Sequence, residues 1–434
     1  MQITVVGMGY VGLVTSAALA YAGHNVICLD INQERVVEIK NGNLPFFEPY
    51  LDELINFGKN KLLFSCDFKE AFFNPEIIII AVGTPEGDNG TADLNAVYTV
   101  AKQIAETITE NCVIVIKSTV PAGTCDLVEK LIKSNLKKNV LFDVVSNPEF
   151  LSQGTAVRDV FTGSRIVIGY KTEWGKNEIC KMYSNFNVPI ITTNRCSAEM
   201  IKYASNCFLA VKLSFINEIA NLCEKVGADI AEVSKGMGYD NRIGDKYLEA
   251  GIGYGGSCLP KDTKALCQMG KEMGCELKTI EAAIHINAQQ QKRLLYKAHK
   301  YYEELENRTV AVLGLSFKAN TDDLRYAPSV INITALIEEG AFVKVWDPIA
   351  IKAIKTFNKN VSYCNSIKEA LHRADLCFIF VDWEEIKNLD PSIFAENMKA
   401  PIILDGRNCF NLDIMNKCNI IYDSIGRNVV NTLL

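Results

Sequence analysis

Residues 3–30 hold the tightest constraint on what this chain can fold into. "ITVVGMGYVG" reads as an apolar strand followed by G-x-G-x-x-G at Gly7, Gly9 and Gly12, and "LVTSAALAYAG" continues with helical spacing. "NVICLD" then ends a second strand on Asp30. In such a unit the first glycine permits a tight turn. The second lets the backbone approach a pyrophosphate, and the third lets helix and strand pack closely. The free N–H groups and positive dipole end of the helix favour phosphate. Asp30 is placed to accept hydrogen bonds from a ribose 2′-hydroxyl and to repel a 2′-phosphate, which favours NAD over NADP. Arg35 lies nearby and weakens that exclusion slightly.

The same texture continues along the chain. "EIIIIAVGTP", "CVIVIKST" and "RIVIGY" are apolar on both faces, as buried parallel strands are, and 92–109 has helical spacing. From residue 197 "SAEMIKYASNCFLAVKLSFINEIANLCEKVG" reads as one long amphipathic helix, and helical segments run on to about residue 306. Strand-like runs then resume with "TVAVLG", "FVKVWDP", "DLCFIFVDW", "PIILDGRN" and "NIIYD". Alternating strands and helices imply parallel sheets. The expected architecture is α/β. Two Rossmann-like doubly wound parallel-sheet domains, 1–195 and 307–434, are joined by a central helical domain, 196–306. The two halves are not an obvious sequence repeat.

Bulk properties exclude several classes. At 434 residues the chain exceeds one ordinary core. A net charge of −6 argues against nucleic acid as the main partner, because phosphate backbones need a basic surface. No apolar run reaches the roughly 18 residues that span a bilayer. Met1 passes directly into the first strand, which reads as no signal peptide. The fifteen cysteines are odd in number and scattered, and no C-x-x-C pair occurs. Reduced thiols in the cytoplasm are therefore expected, and a metal site is not.

Several further constellations carry chemistry. In "GYGGSCLPKD", residues 253–262, Cys258 follows three glycines and a serine. The segment is either a turn holding one cysteine of many or a nucleophile that a substrate must approach closely. "GIGYGG" repeats the G-x-G-x-x-G spacing, but no strand precedes it and no acid-ended strand follows. "NPEF" puts Glu149 at the carboxyl end of a strand, where doubly wound sheets place ligands; the other reading is a solvated loop carboxylate. Thr119 in "KSTVPAGT" ends another strand, and its hydroxyl either holds a water or caps a helix. Lys202 and Asn206 are one turn apart on the long helix, near Ile201, Phe208 and Leu209. They either meet solvent or form a partly buried ammonium beside an amide, which stabilises an oxyanion. Lys318, Asp322 and Arg325 in "LGLSFKANTDDLRYAPS", and Arg407 in "LDGRN", follow strand ends. Cations there hold phosphates or hydroxyls, or sit as surface charges.

Taken in order, "GMGYVG", "VGTP", "KSTVPAGT", "NPEFLSQGTAVRD", "EMIKYASNCFLAVKLSFINE", "NRIGDKYLEAGIGYGGSCLPKDT", "LGLSFKANTDDLRYAPS" and "DGRN" closely resemble the UDP-glucose/GDP-mannose dehydrogenase family over essentially the whole chain. The resemblance implies an NAD-dependent four-electron oxidation of a sugar nucleotide at C6, yielding an acid used in polysaccharide synthesis. "NPEF" resembles the glucose and mannose branch rather than that of N-acetylated amino sugars, and "FKANTDDLRYAPS" the glucose enzymes; UDP-glucose is thus the expected substrate. Cys258 matches the family's nucleophile, which forms a thiohemiacetal and then a thioester that water hydrolyses. The neighbouring Lys261 is a candidate to lower its pKa. Lys202 and Asn206 match the pair that stabilises charge on oxygen, Glu149 the acid/base group, Asp262 its supporting carboxylate, and Thr119 the hydroxyl that positions water. Gly7, Met8, Gly9, Tyr10, Val11, Gly12, Asp30, Arg35, Thr84, Thr119 and Arg325 match cofactor contacts. Glu149, Phe150, Leu151, Lys202, Asn206, Arg242, Tyr247, Leu248, Gly255, Phe317, Lys318 and Arg407 match sugar-nucleotide contacts. The glycines before Cys258 are expected to clear space for the sugar. The family pattern also implies a homodimer through the central helices, with Arg242 reaching the neighbouring subunit's site. One position departs: many relatives carry glutamate where this chain has Gln153, which keeps the size, loses the charge and is assigned cofactor binding only. The competing readings are a GDP-mannose or UDP-N-acetylhexosamine dehydrogenase, a two-electron hydroxyacid dehydrogenase that would not require Cys258, and a nucleotide-binding regulator without turnover.

Overall fold

The computed structural model describes residues 1–351, 354 and 360–431; positions 352–353, 355–359 and 432–434 of the expected last domain lie outside it. The chain forms two compact units. One is Met1–Ser205 with Gln268–Met273, the other Asn206–Cys267 with Gly274–Leu434, and the boundary falls inside the long helix Arg195–Val226.

The first unit is built on an eight-stranded sheet: β1 (Gln2–Val6), β2 (Asn25–Leu29), β3 (Leu62–Ser65), β4 (Ile77–Ile80), β5 (Cys112–Ile116), β6 (Phe142–Ser146), β7 (Ile166–Tyr170) and β8 (Ile190–Asn194). Their order is β3-β2-β1-β4-β5-β6-β7-β8. The run "IIII" of β4 shows why the strands are apolar on both faces. Ile77 and Ile79 join one core, Ile78 and Ile80 the other. All neighbours are parallel except β6 and β7, which meet antiparallel at Ser146 and Gly169. Hydrophobic periodicity has no direction, so the reversal was not readable from "RIVIGY". Its effect is to bring the start of β7, with Arg165 before it, to the edge where β5 and β6 end.

The second unit carries β9 (Thr309–Leu313), β10 (Phe342–Trp346), β11 (Ser362–Tyr363), β12 (Leu376–Ile379), β13 (Ile402–Asp405) and β14 (Ile421–Ser424), in the order β11-β10-β9-β12-β13-β14. This repeats the order of the first six strands. Each sheet changes direction beside its first strand, between β1 and β4 and between β9 and β12, where such sheets bind ligands. The turns match as well. Gly7 has φ +106° and donates its N–H to Leu29 O at 2.7 Å; Gly314 has φ +84° and donates to Trp346 O at 2.8 Å. Met8 N–H meets Asp30 Oδ2 at 2.7 Å, and Leu315 N–H meets Asp347 Oδ2 at 2.7 Å. Asp347 also accepts from the Trp383 indole at 3.0 Å.

The long helix begins on a buried cation. Arg195 donates to Val144 O at 2.6 Å and to the carboxylates of Asp143 at 2.7 Å, Glu129 at 2.5 Å and Asp126 at 2.9 Å. One turn on, buried Glu199 accepts the N–H groups of Gly123 at 2.6 Å and Cys125 at 2.8 Å, capping the helix Thr124–Asn135. Burial pushes Glu129 up, but hydrogen bonds from Lys133, Arg195 and Lys171 outweigh it and hold the carboxyl down at about 2. A carboxylate so depressed stabilises the fold above the unfolded value and loses that contribution as pH falls toward 2. Arg195→Met leaves Asp143 and Glu129 buried without this partner. It should cost about 3–5 kcal/mol, read as an earlier first transition in urea unfolding, and acid unfolding should begin at a higher pH than in the native protein. A transition unmoved in urea would show that the cluster contributes nothing to this unit.

Candidate active site

In the first unit, the turn after β1 has the features a pyrophosphate needs. A Cβ on Gly7 would lie 2.8 Å from Ala81 O, and one on Gly12 would lie 1.8 Å from Gly7 O, so both must be glycine for the turn to close. A Cβ on Gly9 would meet nothing within 4 Å. Gly9 precedes the helix Tyr10–Tyr21, so the space that its missing side chain leaves lies at a helix N-terminus. Asp30 is buried at the end of β2. It accepts from Met8 and Asn32 N–H groups and from Arg35 Nη1 at 3.3 Å. Thr84 donates to Thr119 O at 2.9 Å, so these two predicted residues are in contact. The Tyr10 hydroxyl, raised well above its usual value by burial and by Glu48, donates to Glu48. Glu48 also accepts from Gly154 N at 2.6 Å and Ala156 N at 2.7 Å, tying the glycine turn to the segment of Gln153. Glu48 was not anticipated; an isolated acid in "PFFEPY" has no telling spacing.

Glu149 follows β6 and is buried, not solvated. Its Oε1 accepts from Lys202 Nζ at 3.0 Å and its Oε2 from the N–H of Leu151. Lys202 Nζ lies 5.4 Å from the centroid of the Phe150 ring, and the Arg165 guanidinium 4.1 Å from the same ring. The apolar setting expected for Lys202 is thus made by Phe150. Phe208 does not supply it, being 64% exposed.

In the second unit, Asn206 Nδ2 donates to Asp262 Oδ2 at 2.6 Å and Lys261 Nζ to Asp262 Oδ1 at 2.5 Å. Lys261, the candidate to lower the thiol's pKa, has its ammonium on Asp262. Cys258 is exposed and immediately precedes the helix Leu259–Glu272, where its carbonyl accepts the N–H of Asp262 at 2.8 Å. Arg325 is held above its usual value first by its hydrogen bond to Asp323 and further by the charges of Asp323 and Cys258. Arg325, expected as a cofactor contact, thus lies near the thiol.

The bare backbone before Cys258 also has a reason different from the expected one. A Cβ on Gly255 would lie 2.3 Å from Tyr326 O, and on Gly256 2.9 Å from the Phe317 ring. The space is taken by the protein itself, which seats the cysteine segment against the 317–326 loop. Arg407 joins this packing. It donates to Phe317 O at 2.8 Å and Phe380 O at 2.9 Å, and burial lowers its pKa. Lys318 lies over the Phe317 ring at 5.6 Å. Leu248 is buried, and Tyr247 has φ +61°. Arg242 joins none of these groups; it is exposed and paired with Asp240.

Models of three domains match the chain in order: the NAD binding domain over residues 1–187, the central domain over 196–289 and the UDP binding domain over 311–412, all of the UDP-glucose/GDP-mannose dehydrogenase family. The chain belongs to that family. Its cofactor is NAD, and the open space at Gly9 and the buried Asp30 fit it. Among curated relatives, UDP-glucose 6-dehydrogenase YwqF of Bacillus subtilis is 45% identical over 433 residues, 99% of this chain and 98% of that one. The UDP-glucose 6-dehydrogenase of Rhizobium meliloti is 40% identical, over 98% of this chain and all of the relative. Among solved structures, a UDP-glucose dehydrogenase of Pyrobaculum islandicum superposes with TM-score 0.91 at 34% identity, covering 97% of this chain and 96% of that one.

Gly9 and Gly12 give opposite expectations. Gly12→Ala should lower stability by about 2 kcal/mol or more, because the new carbon collides with a carbonyl. Gly9→Ala should leave the melting temperature unchanged yet weaken NAD binding at least about ten-fold, measured by calorimetric titration. Native NAD affinity in Gly9→Ala would remove the phosphate role from this turn.

Proposed function

We propose that this protein is a UDP-glucose 6-dehydrogenase that converts UDP-glucose to UDP-glucuronate in two oxidations at C6. The observation that carries the reading is the exposed Cys258 at the head of its helix, in a chain 45% identical to a UDP-glucose 6-dehydrogenase over nearly its full length. NAD, when bound, would supply the hydride acceptor, one molecule for each of the two oxidations. Gly7 to Gly12 and Asp30 hold its pyrophosphate and ribose. Lys202 and Asn206 donate to the oxygen on C6, and Glu149, already hydrogen-bonded to Lys202, receives the proton that this oxygen releases. The Cys258 sulfur adds to the aldehyde carbon and keeps it on the enzyme as a thiohemiacetal, which becomes a thioester when that carbon gives up a second hydride, to a second NAD, and its hydroxyl a proton. Thr119 and Asp262 position the water that later cleaves the thioester, releasing the acid and the free thiol. Arg407, Phe317 and Lys318 hold the nucleotide. We place the enzyme in the cytoplasm, in keeping with its fifteen free cysteines.

We infer a homodimer from the long helix. Met200, Ala204, Phe208, Phe215, Leu222 and Val226 are exposed and recur at helical spacing, Phe208 at 64% and Leu222 at 56%. An apolar stripe of this length calls for a partner, and a second copy of the chain presents the same stripe.

Three experiments test these readings. A panel of UDP-glucose, GDP-mannose and UDP-N-acetylhexosamines is assayed with NAD. UDP-glucose should be preferred, with two NADH formed per acid; preference for another sugar nucleotide would sink the substrate assignment. Cys258→Ala should still bind both ligands but make no acid, while Cys267→Ala, a buried thiol in the same helix, should cost only packing, about a few kcal/mol of stability at most. Acid formed by Cys258→Ala at near-native rate would rule out the covalent route. For assembly, sedimentation velocity should give twice the chain mass, and Phe208→Glu with Leu222→Glu should give a folded monomer. A native monomer contradicts the dimer.

A further inference from the structure

A cavity of about 310 Å³ lies in the first unit. Its walls come from the helix Tyr10–Tyr21, from the residues that follow β5 and β6, and from 159–166. It shares Glu149, Phe150 and Leu151 with the site described above, but neither Thr119 nor Lys202 lines it.

One charged group in its wall is poorly provided for. Lys117 is the first residue after β5 and only 7% exposed. Its ammonium donates to Asn147 Oδ1 at 3.2 Å and to the Tyr183 hydroxyl at 3.2 Å, and that hydroxyl donates to the same Asn147 oxygen at 2.6 Å. Both partners are neutral, and among the described residues no carboxylate pairs with Lys117. Buried ammonium groups ordinarily meet an anion, and two partners leave one of its three N–H donors over. Arg165, also in the wall, stacks on Phe150, and among the described residues it donates only to the hydroxyls of Ser164 and Ser205. The acids in the wall are already engaged: Glu149 with Lys202, and Asp159 with Ser152 N–H, Thr155 Oγ1 and Arg158. The cations of this cavity thus face neutral partners while its acids have donors of their own. The remaining wall is apolar, with Ala18, Leu19, Val160, Ile166, Phe186 and Val188, and the exposed Thr162 and Ser164 border it.

We propose that this cavity binds a small organic carboxylate, its anionic group on Lys117 and its apolar body along Leu19, Val160 and Phe186. Its volume is at the small end of ligand pockets, which suits one ring with one charged substituent. The binding requires neither cofactor nor sugar nucleotide.

The full-length protein is titrated with benzoate by calorimetry in chloride-free buffer, with benzamide as the neutral compound of the same shape. Benzoate should bind saturably with one site per chain, and benzamide at least about ten-fold more weakly, since an ionised acceptor strengthens the contact. Lys117→Met should abolish detectable binding. Lys117→Arg, which keeps the positive charge, should retain benzoate binding within about ten-fold. If Lys117→Met does not fold, Lys117→Arg and the benzamide comparison decide. No saturable binding of benzoate, equal affinity for benzamide, undiminished affinity in Lys117→Met, or loss of binding in a folded Lys117→Arg overturns the proposal.

Discussion

Arg195 is the charge around which the first unit is organised. It is buried, and a guanidinium out of water is tolerated only where its donors are met. Here they are met by the backbone of β6 and by carboxylates on β6 and on the helix Thr124–Asn135. Glu199, one turn later, takes the N-terminal N–H groups of that same helix. Two residues of one helix therefore pin it to a strand and to a second helix, fixing both its axial position and its rotation. Lys202 lies less than a turn beyond Glu199, so its ammonium reaches Glu149 with no freedom to rotate away. The loop bearing Thr119 ends at the helix that Glu199 caps, so the same clamp limits that hydroxyl. The chemistry proposed for Lys202, Glu149 and Thr119 depends on a cluster that touches none of the reacting atoms.

Much of this was readable from residue order because buried parallel strands are apolar on both faces. "ITVV", "IIII" and "CVIVI" could hardly be anything else. β8 was not recognised, because its residues Ile190–Asn194 are nearly all exposed at the sheet edge and lack that signature. β3 is only Leu62–Ser65, with Leu63 exposed. The glycine turn and Asp30 were legible because they lie close together in sequence. The pairing of Glu149 with Lys202 joins positions 53 apart, and no spacing rule reaches that far. Arg195 and Glu199 were passed over because a charged residue near a helix start is usually a solvated one. Where the Lys261 side chain points was left open for a related reason: adjacency to Cys258 in sequence says nothing of its direction, and the structure puts the ammonium on Asp262.

The glycines before Cys258 carry a similar lesson. Space beside a reactive residue invites the thought of a ligand, yet the positions a Cβ would take at Gly255 and Gly256 belong to Tyr326 and Phe317. Close approach of one backbone to another is as demanding as close approach of a substrate. Gly9 differs because nothing protein-made fills the gap. What distinguishes the two cases is the neighbour that the absent carbon would meet.

The matched turns of the two sheets show how little such a turn demands. Each needs one glycine that tolerates positive φ and one aspartate to receive an N–H, and little else in the two segments agrees. A turn that asks for only two fixed residues leaves the rest of each segment free to vary. The second turn closes its aspartate against Trp383, whereas the first leaves an open glycine beside its own. One order of strands can therefore serve two different ligands, with the choice made by a handful of side chains at the turn.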